Sequence, residues 1–108
     1  MAEIGKAGNI AAAVYRALLE HPGRFPNIDA VARELGTNAR ALRRRLAEEQ
    51  TSFRGILGEV RMRLAIDYLK NTDMTNEEIA SRLGYSEATN FRHAFMRWTR
   101  RNPSSYRK

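Results

Sequence analysis

Arg40, Arg43 and Arg44 follow closely on Asn38, and Thr89, Arg92 and His93 follow in the same way on Ser86. A guanidinium can donate two parallel hydrogen bonds to guanine O6 and N7, which is worth about 1–3 kcal/mol of discrimination against the wrong base. A threonine can meet a thymine methyl or a phosphate, and an imidazole a base edge or a phosphate. Catalysis has much less to work with. The two histidines, His21 and His93, stand 72 residues apart, cysteine is absent, and there is no Gly-rich phosphate loop and no H-E-x-x-H string. The residues point to binding, with no catalytic group and no cofactor.

The charge agrees with a polyanionic partner. Nineteen Lys+Arg against twelve Asp+Glu give +7 over 108 residues, and the excess is uneven. After Glu87 no acid remains, while Arg92, Arg97, Arg100, Arg101, Arg107 and Lys108 follow. Without cysteine there is no disulfide framework and no thiolate zinc site, which fits a reducing cytoplasm. No apolar run approaches the roughly 20 residues needed to span a bilayer, so no membrane role is expected.

Several helices must position these side chains. Residues 1–9 read as a small, polar leader. Ile10, Val14, Ala17 and Leu18 then mark one face of a helix that Pro22 and Gly23 end. A short helix follows Asn27 as N-cap and carries Ile28, Val31, Ala32 and Leu35 up to Gly36, and another starts after Asn38 and runs to about Gln50 with Leu42 and Leu46 inward. Over 53–70, Phe53, Leu57, Val60, Leu64 and Tyr68 form one apolar seam, with Met62, Ile66 and Leu69 forming a second. This connecting helix would be about 27 Å long. Thr75 with Glu78 is a capping box for the next helix, which stops at Gly84. The last long helix is expected after Ser86, with Phe91, Phe95 and Trp98 in the core, and Asn102-Pro103 opens a final turn.

One pattern occurs twice. Val31-Ala32-x-x-Leu35-Gly36 matches Ile79-Ala80-x-x-Leu83-Gly84 at an offset of 48, and Leu42 and Leu46 match Phe91 and Phe95 at an offset of 49. A small Ala lets two helices cross closely, Leu fills the space beneath, and Gly supplies the positive φ of a tight turn. Two helix-turn-helix units follow, each with Arg on the non-core face of its second helix. The fold expected is all-α, about seven helices in two helix-turn-helix lobes, 10–52 and 71–108, joined by the 53–70 helix.

On these residues the chain resembles the C-terminal DNA-binding region of the AraC/XylS family of bacterial transcription regulators. The resemblance covers about Asn27 to Arg107. Its longest stretch is Ile79-Ala80-Ser81-Arg82-Leu83-Gly84-Tyr85-Ser86 with Phe91-Arg92-His93-Ala94-Phe95 and Asn102-Pro103-Ser104-Ser105-Tyr106-Arg107, and Arg61-x-x-x-Ala65 fits as well. The family often has Gly where this chain has Gln50 and Arg100. Those two helix ends either take a left-handed conformation at a cost of about 1 kcal/mol or adopt another geometry. Family members usually carry a separate effector or dimerisation domain, so the resemblance implies a piece beyond these 108 residues or a stand-alone regulator.

The N-terminal half of a helix in the major groove meets the bases. Arg40, Arg43 and Arg44 of the first unit and Thr89, Arg92 and His93 of the second are therefore the expected base contacts. Asn38 and Ser86, as caps, and Arg97, Arg100 and Arg101 are the expected phosphate contacts. Arg45 is assigned to pairing with Glu48 or Glu49 within the chain. The partner expected is double-stranded operator or promoter DNA, bound by one monomer through two successive major grooves at half-sites of unlike sequence. RNA polymerase is a further candidate partner. The alternative is a non-specific basic nucleoid or RNA-binding protein.

Overall fold

A computed structural model describes residues 9–107, so the expected leader lies, apart from Asn9, outside the described residues. These residues form six α-helices and one 3₁₀ turn with no strand: α1 Asn9–Leu19, α2 Ile28–Glu34, α3 Ala39–Glu48, α4 Phe53–Asn71, α5 Asn76–Arg82, α6 Ala88–Thr99 and the turn Pro103–Tyr106. Among them no helix is long and apolar enough to cross a membrane. Backbone contacts divide the chain into two compact units. The first holds the described residues up to His21 and Phe25–Leu57, and the second holds Pro22–Arg24 and the residues from Gly58 onward.

In the first unit α1, α2 and α3 pack on one another. Ile10, Val14, Ala17 and Leu18 meet Val31, Ala32, Leu42 and Leu46, all buried, and Ile56 from the first turn of α4 is buried too. Polar chemistry sets the helix ends. Asn27 Oδ1 accepts from the Ala30 N–H at 2.9 Å, and Asn38 Oδ1 from the Ala41 N–H at 2.8 Å. Glu49 is used differently from the sequence expectation. Its carboxylate accepts from the Ala11 N–H at 3.0 Å and the Ile10 N–H at 3.4 Å, so it serves the start of α1, a positive helix end, rather than Arg45.

In the second unit the core is Ala65, Leu69, Ile79, Ala80, Leu83, Phe91 and Phe95. Val60, Ala94 and Pro103 are also buried. The capping box forms: Thr75 Oγ1 accepts from the Glu78 N–H at 3.1 Å, and Glu78 Oε1 accepts from the Thr75 N–H at 2.8 Å. Trp98, expected in the core, is half-buried at its edge. Along α4 the buried positions are Ile56, Val60, Ala65 and Leu69, whereas Phe53, Leu57, Leu64 and Tyr68 of the expected seam are half-buried except Val60. Apolar residues cover most of this helix outside the exposed strip of Glu59, Arg63, Asp67 and Lys70, so no single narrow stripe marks its buried side.

Candidate nucleic-acid interface

Each unit contains the same short device. At the end of α2, Gly36 takes φ 79° and the Thr37 N–H donates to the Ala32 carbonyl at 2.9 Å. At the end of α5, Gly84 takes φ 91° and the Tyr85 N–H donates to the Ala80 carbonyl at 2.8 Å. Both closures reach back from beyond a left-handed residue to a carbonyl of the last turn, which a side chain with a Cβ would resist. The chain then enters the second helix of the pair, α3 or α6.

On α3, Leu42 and Leu46 are buried, leaving Arg40, Arg43 and Arg44 exposed. Arg40 and Arg44 are one turn apart on the same face. Arg43 borders a ≈ 380 Å³ apolar cleft with Ile28, Ala47 and Phe53, so its stem has a different neighbourhood from the other two. Asn38 is exposed beside them, its Oδ1 committed to the cap.

On α6, Phe91, Ala94 and Phe95 face inward, and Thr89, Arg92 and His93 are exposed. Thr89 and Arg92 line an open cleft of ≈ 600 Å³ together with Ser86, Glu87 and Glu77, and His93 stands outside its lining. Ser86 is exposed but does not cap the helix. The N-cap is Glu87, whose side chain makes no capping hydrogen bond, so the expectation for Ser86 as a cap is corrected by one residue. Arg97, Arg100 and Arg101 are exposed near the helix end, and Arg100 is left-handed at φ 65°. Gln50 does the same after α3 at φ 62°. Of the two geometries open for these helix ends, both adopt the left-handed one.

Sequence reasoning missed the parts that hold the second turn. Arg61 Nε donates to the Leu83 carbonyl at 3.1 Å, and its guanidinium lies 5.0 Å from the centre of the Tyr85 ring. Tyr85 in turn neighbours Phe91 and Trp98, and Phe95 meets Tyr106 edge-on at 5.2 Å. Burial raises the Tyr85 phenol above its ordinary value, opposed by the charges of Arg61 and Arg97 and by a hydrogen bond from Arg61. Arg107, one of the cations that follow the last acid, donates to Asn76 Oδ1 at 2.9 Å and ties the last turn to the start of α5. The signal for Arg61 was its place in the Arg61-x-x-x-Ala65 string, which carries no hint of the partner carbonyl. Among the described residues no group of His, Asp and Glu could hold a metal.

Residues 31–108 match the family model described as a helix-turn-helix domain, and the chain belongs to this family, whose type is that of the AraC regulators. It is 48% identical over 97 residues to an uncharacterized HTH-type transcriptional regulator of Mycobacterium tuberculosis, covering 90% of this chain and 28% of the relative. It is 46% identical over 95 residues to the ornithine utilization regulator of Pseudomonas aeruginosa, covering 88% and 28%. Among solved structures, the transcriptional regulator CdpR from Pseudomonas aeruginosa superposes with a TM-score of 0.72 at 45% identity, covering 78% of this chain and 27% of that one. The chain thus spans less than a third of the length of these relatives.

Proposed function

We propose that this chain binds double-stranded DNA sequence-specifically in bacterial transcription regulation, through α3 and α6 as recognition helices. The observation that carries the reading is the duplicated device: two left-handed glycine turns, each followed by a helix whose buried face is apolar and whose exposed N-terminal half offers hydrogen-bond donors. Family membership supports it. Arg40, Arg43 and Arg44 read bases in one half-site and Thr89, Arg92 and His93 in the other, in successive major grooves. Because the two triplets differ chemically, the half-sites differ in sequence and one monomer suffices for both. Asn38, Ser86, Arg97, Arg100 and Arg101 hold phosphates. The role is that of a binding module in the cytoplasm rather than an enzyme. RNA polymerase as a contact, and an effector or dimerisation part working with this one, belong to the same proposal.

Selection from a random duplex pool followed by competition tests the reading. An enriched sequence should bind on the order of 10³-fold more tightly than random competitor DNA at fixed salt. Displacement by random DNA or by RNA at the same concentration as by the enriched duplex would mean a non-specific basic binder.

A further inference from the structure

Glu87 is the last acid of the chain, and the twenty-one residues after it carry six Lys or Arg. It holds the N-cap position of α6 in extended backbone, at φ −142° and ψ 148°, yet contributes no side-chain cap. Asn27, Asn38 and Thr75 at the equivalent positions of their helices each commit a side-chain oxygen to a first-turn N–H. Glutamate is also not among the residues that cap well, so capping does not account for it. Its side chain is exposed and lines the same cleft as Thr89 and Arg92. Glu77 lines that cleft as well, from α5, but Glu87 alone of the two acids stands at the start of α6, two residues before Thr89 and five before Arg92.

A carboxylate there weakens indiscriminate binding, because it repels phosphate. Its fit to the base edges is selective. In the major groove guanine shows two acceptors, thymine an acceptor and a methyl, and adenine a donor beside an acceptor, whereas cytosine shows its N4 amine alone. We propose that Glu87 is a specificity residue of the second unit, its carboxylate accepting a hydrogen bond from the N4 amine of a cytosine. The inference rests on the DNA-binding reading above and adds a base that none of the expected contacts reads.

Site selection with the unaltered chain, Glu87→Gln and Glu87→Ser tests it. Serine restores a good helix cap while removing the charge, so the second variant separates folding from readout. The unaltered chain should enrich cytosine about tenfold at one position of the second half-site. Glu87→Ser should lose that preference, and Glu87→Gln should move it toward adenine, whose N6 and N7 suit an amide. Other positions should stay unchanged, and affinity for random DNA should rise a few-fold at low salt. If both variants keep every base preference, Glu87 is a repulsive charge alone and the inference fails. If the unaltered chain enriches no sequence, the DNA-binding reading itself fails and takes this one with it.

Discussion

The turn of the first unit is closed by a backbone hydrogen bond from Thr37 to Ala32, and that of the second by the matching bond from Tyr85 to Ala80 together with a side-chain donor, Arg61. After α2, Gly36 is exposed and Leu35 only half-buried. After α5, Leu83 is fully buried, and Arg61 holds its carbonyl and covers the Tyr85 ring. The same backbone geometry therefore comes from the short Ala-x-x-Leu-Gly motif in both, and the surroundings decide how much rests on it. The recognition faces differ as well. One offers three arginines, the other a threonine, an arginine and a histidine with an acid at the helix start.

This contrast can be broken most forcefully in the aromatic core of the second unit. Phe95→Ala removes a fully buried ring that meets Phe91, Trp98 and Tyr106, and should cost about 3–5 kcal/mol in denaturant unfolding. A loss below about 1 kcal/mol would show that the cluster is not a core.

Arg61→Met should cost roughly 1–3 kcal/mol, since it leaves the Leu83 carbonyl without its donor and strips the charge from Tyr85. The phenol provides a separate readout. Its folded pKa is raised above the ordinary 10.0 chiefly by burial, so the stability it contributes is complete below about pH 10 and falls as pH rises through the folded value. Since Arg61 lowers that pKa, Arg61→Met should push phenolate formation, followed by absorbance, to still higher pH. A shift downward would contradict the assigned contact.

Arg44→Ala should weaken binding to the preferred duplex by about 1–3 kcal/mol and relax the preference at one position, while Arg101→Ala should weaken all duplexes alike and flatten the salt dependence. Equal, sequence-independent losses from both would erase the division between base and phosphate contacts. The smallest effects concern helix ends. Gln50→Gly relieves a left-handed non-glycine residue and should stabilise by up to about 1 kcal/mol, and Gly36→Ala should destabilise by about as much. A Cβ at Gly36 meets nothing within 4 Å, so melting of that variant reports backbone conformation alone.

Local chemistry was the legible part of the sequence. Asn27, Asn38 and the Thr75/Glu78 box act within three residues of themselves, and Gly36 and Gly84 sit where the repeat required a positive φ. What escaped was long-range or uniform. Glu49 reaches residues 38 and 39 positions away, and Arg61 a carbonyl 22 positions on, which no spacing rule signals. In α4 the buried Ile56 and Ala65 could not be told from their apolar neighbours. Ser86 and Glu87 are adjacent polar residues before a helix, and side-chain type favours Ser86 as the cap although the backbone puts Glu87 there. Of the candidate site, the exposure of Arg40, Arg43, Arg44, Thr89, Arg92 and His93 followed from the apolar period of their helices. The sharing of one cleft by Thr89, Arg92 and Glu87, with His93 apart, needed the fold.

The most direct test pairs Arg44→Ala with Arg92→Ala in site selection from one random duplex pool. The unaltered chain should enrich a two-part, non-palindromic sequence. Arg44→Ala should relax a base in one part only, and Arg92→Ala a base in the other only, with both variants retaining the unaltered chain's circular dichroism and melting behaviour. Relaxation of the same positions by both variants, or enrichment of a palindrome that binds two chains, would contradict a single chain reading two unlike half-sites through α3 and α6.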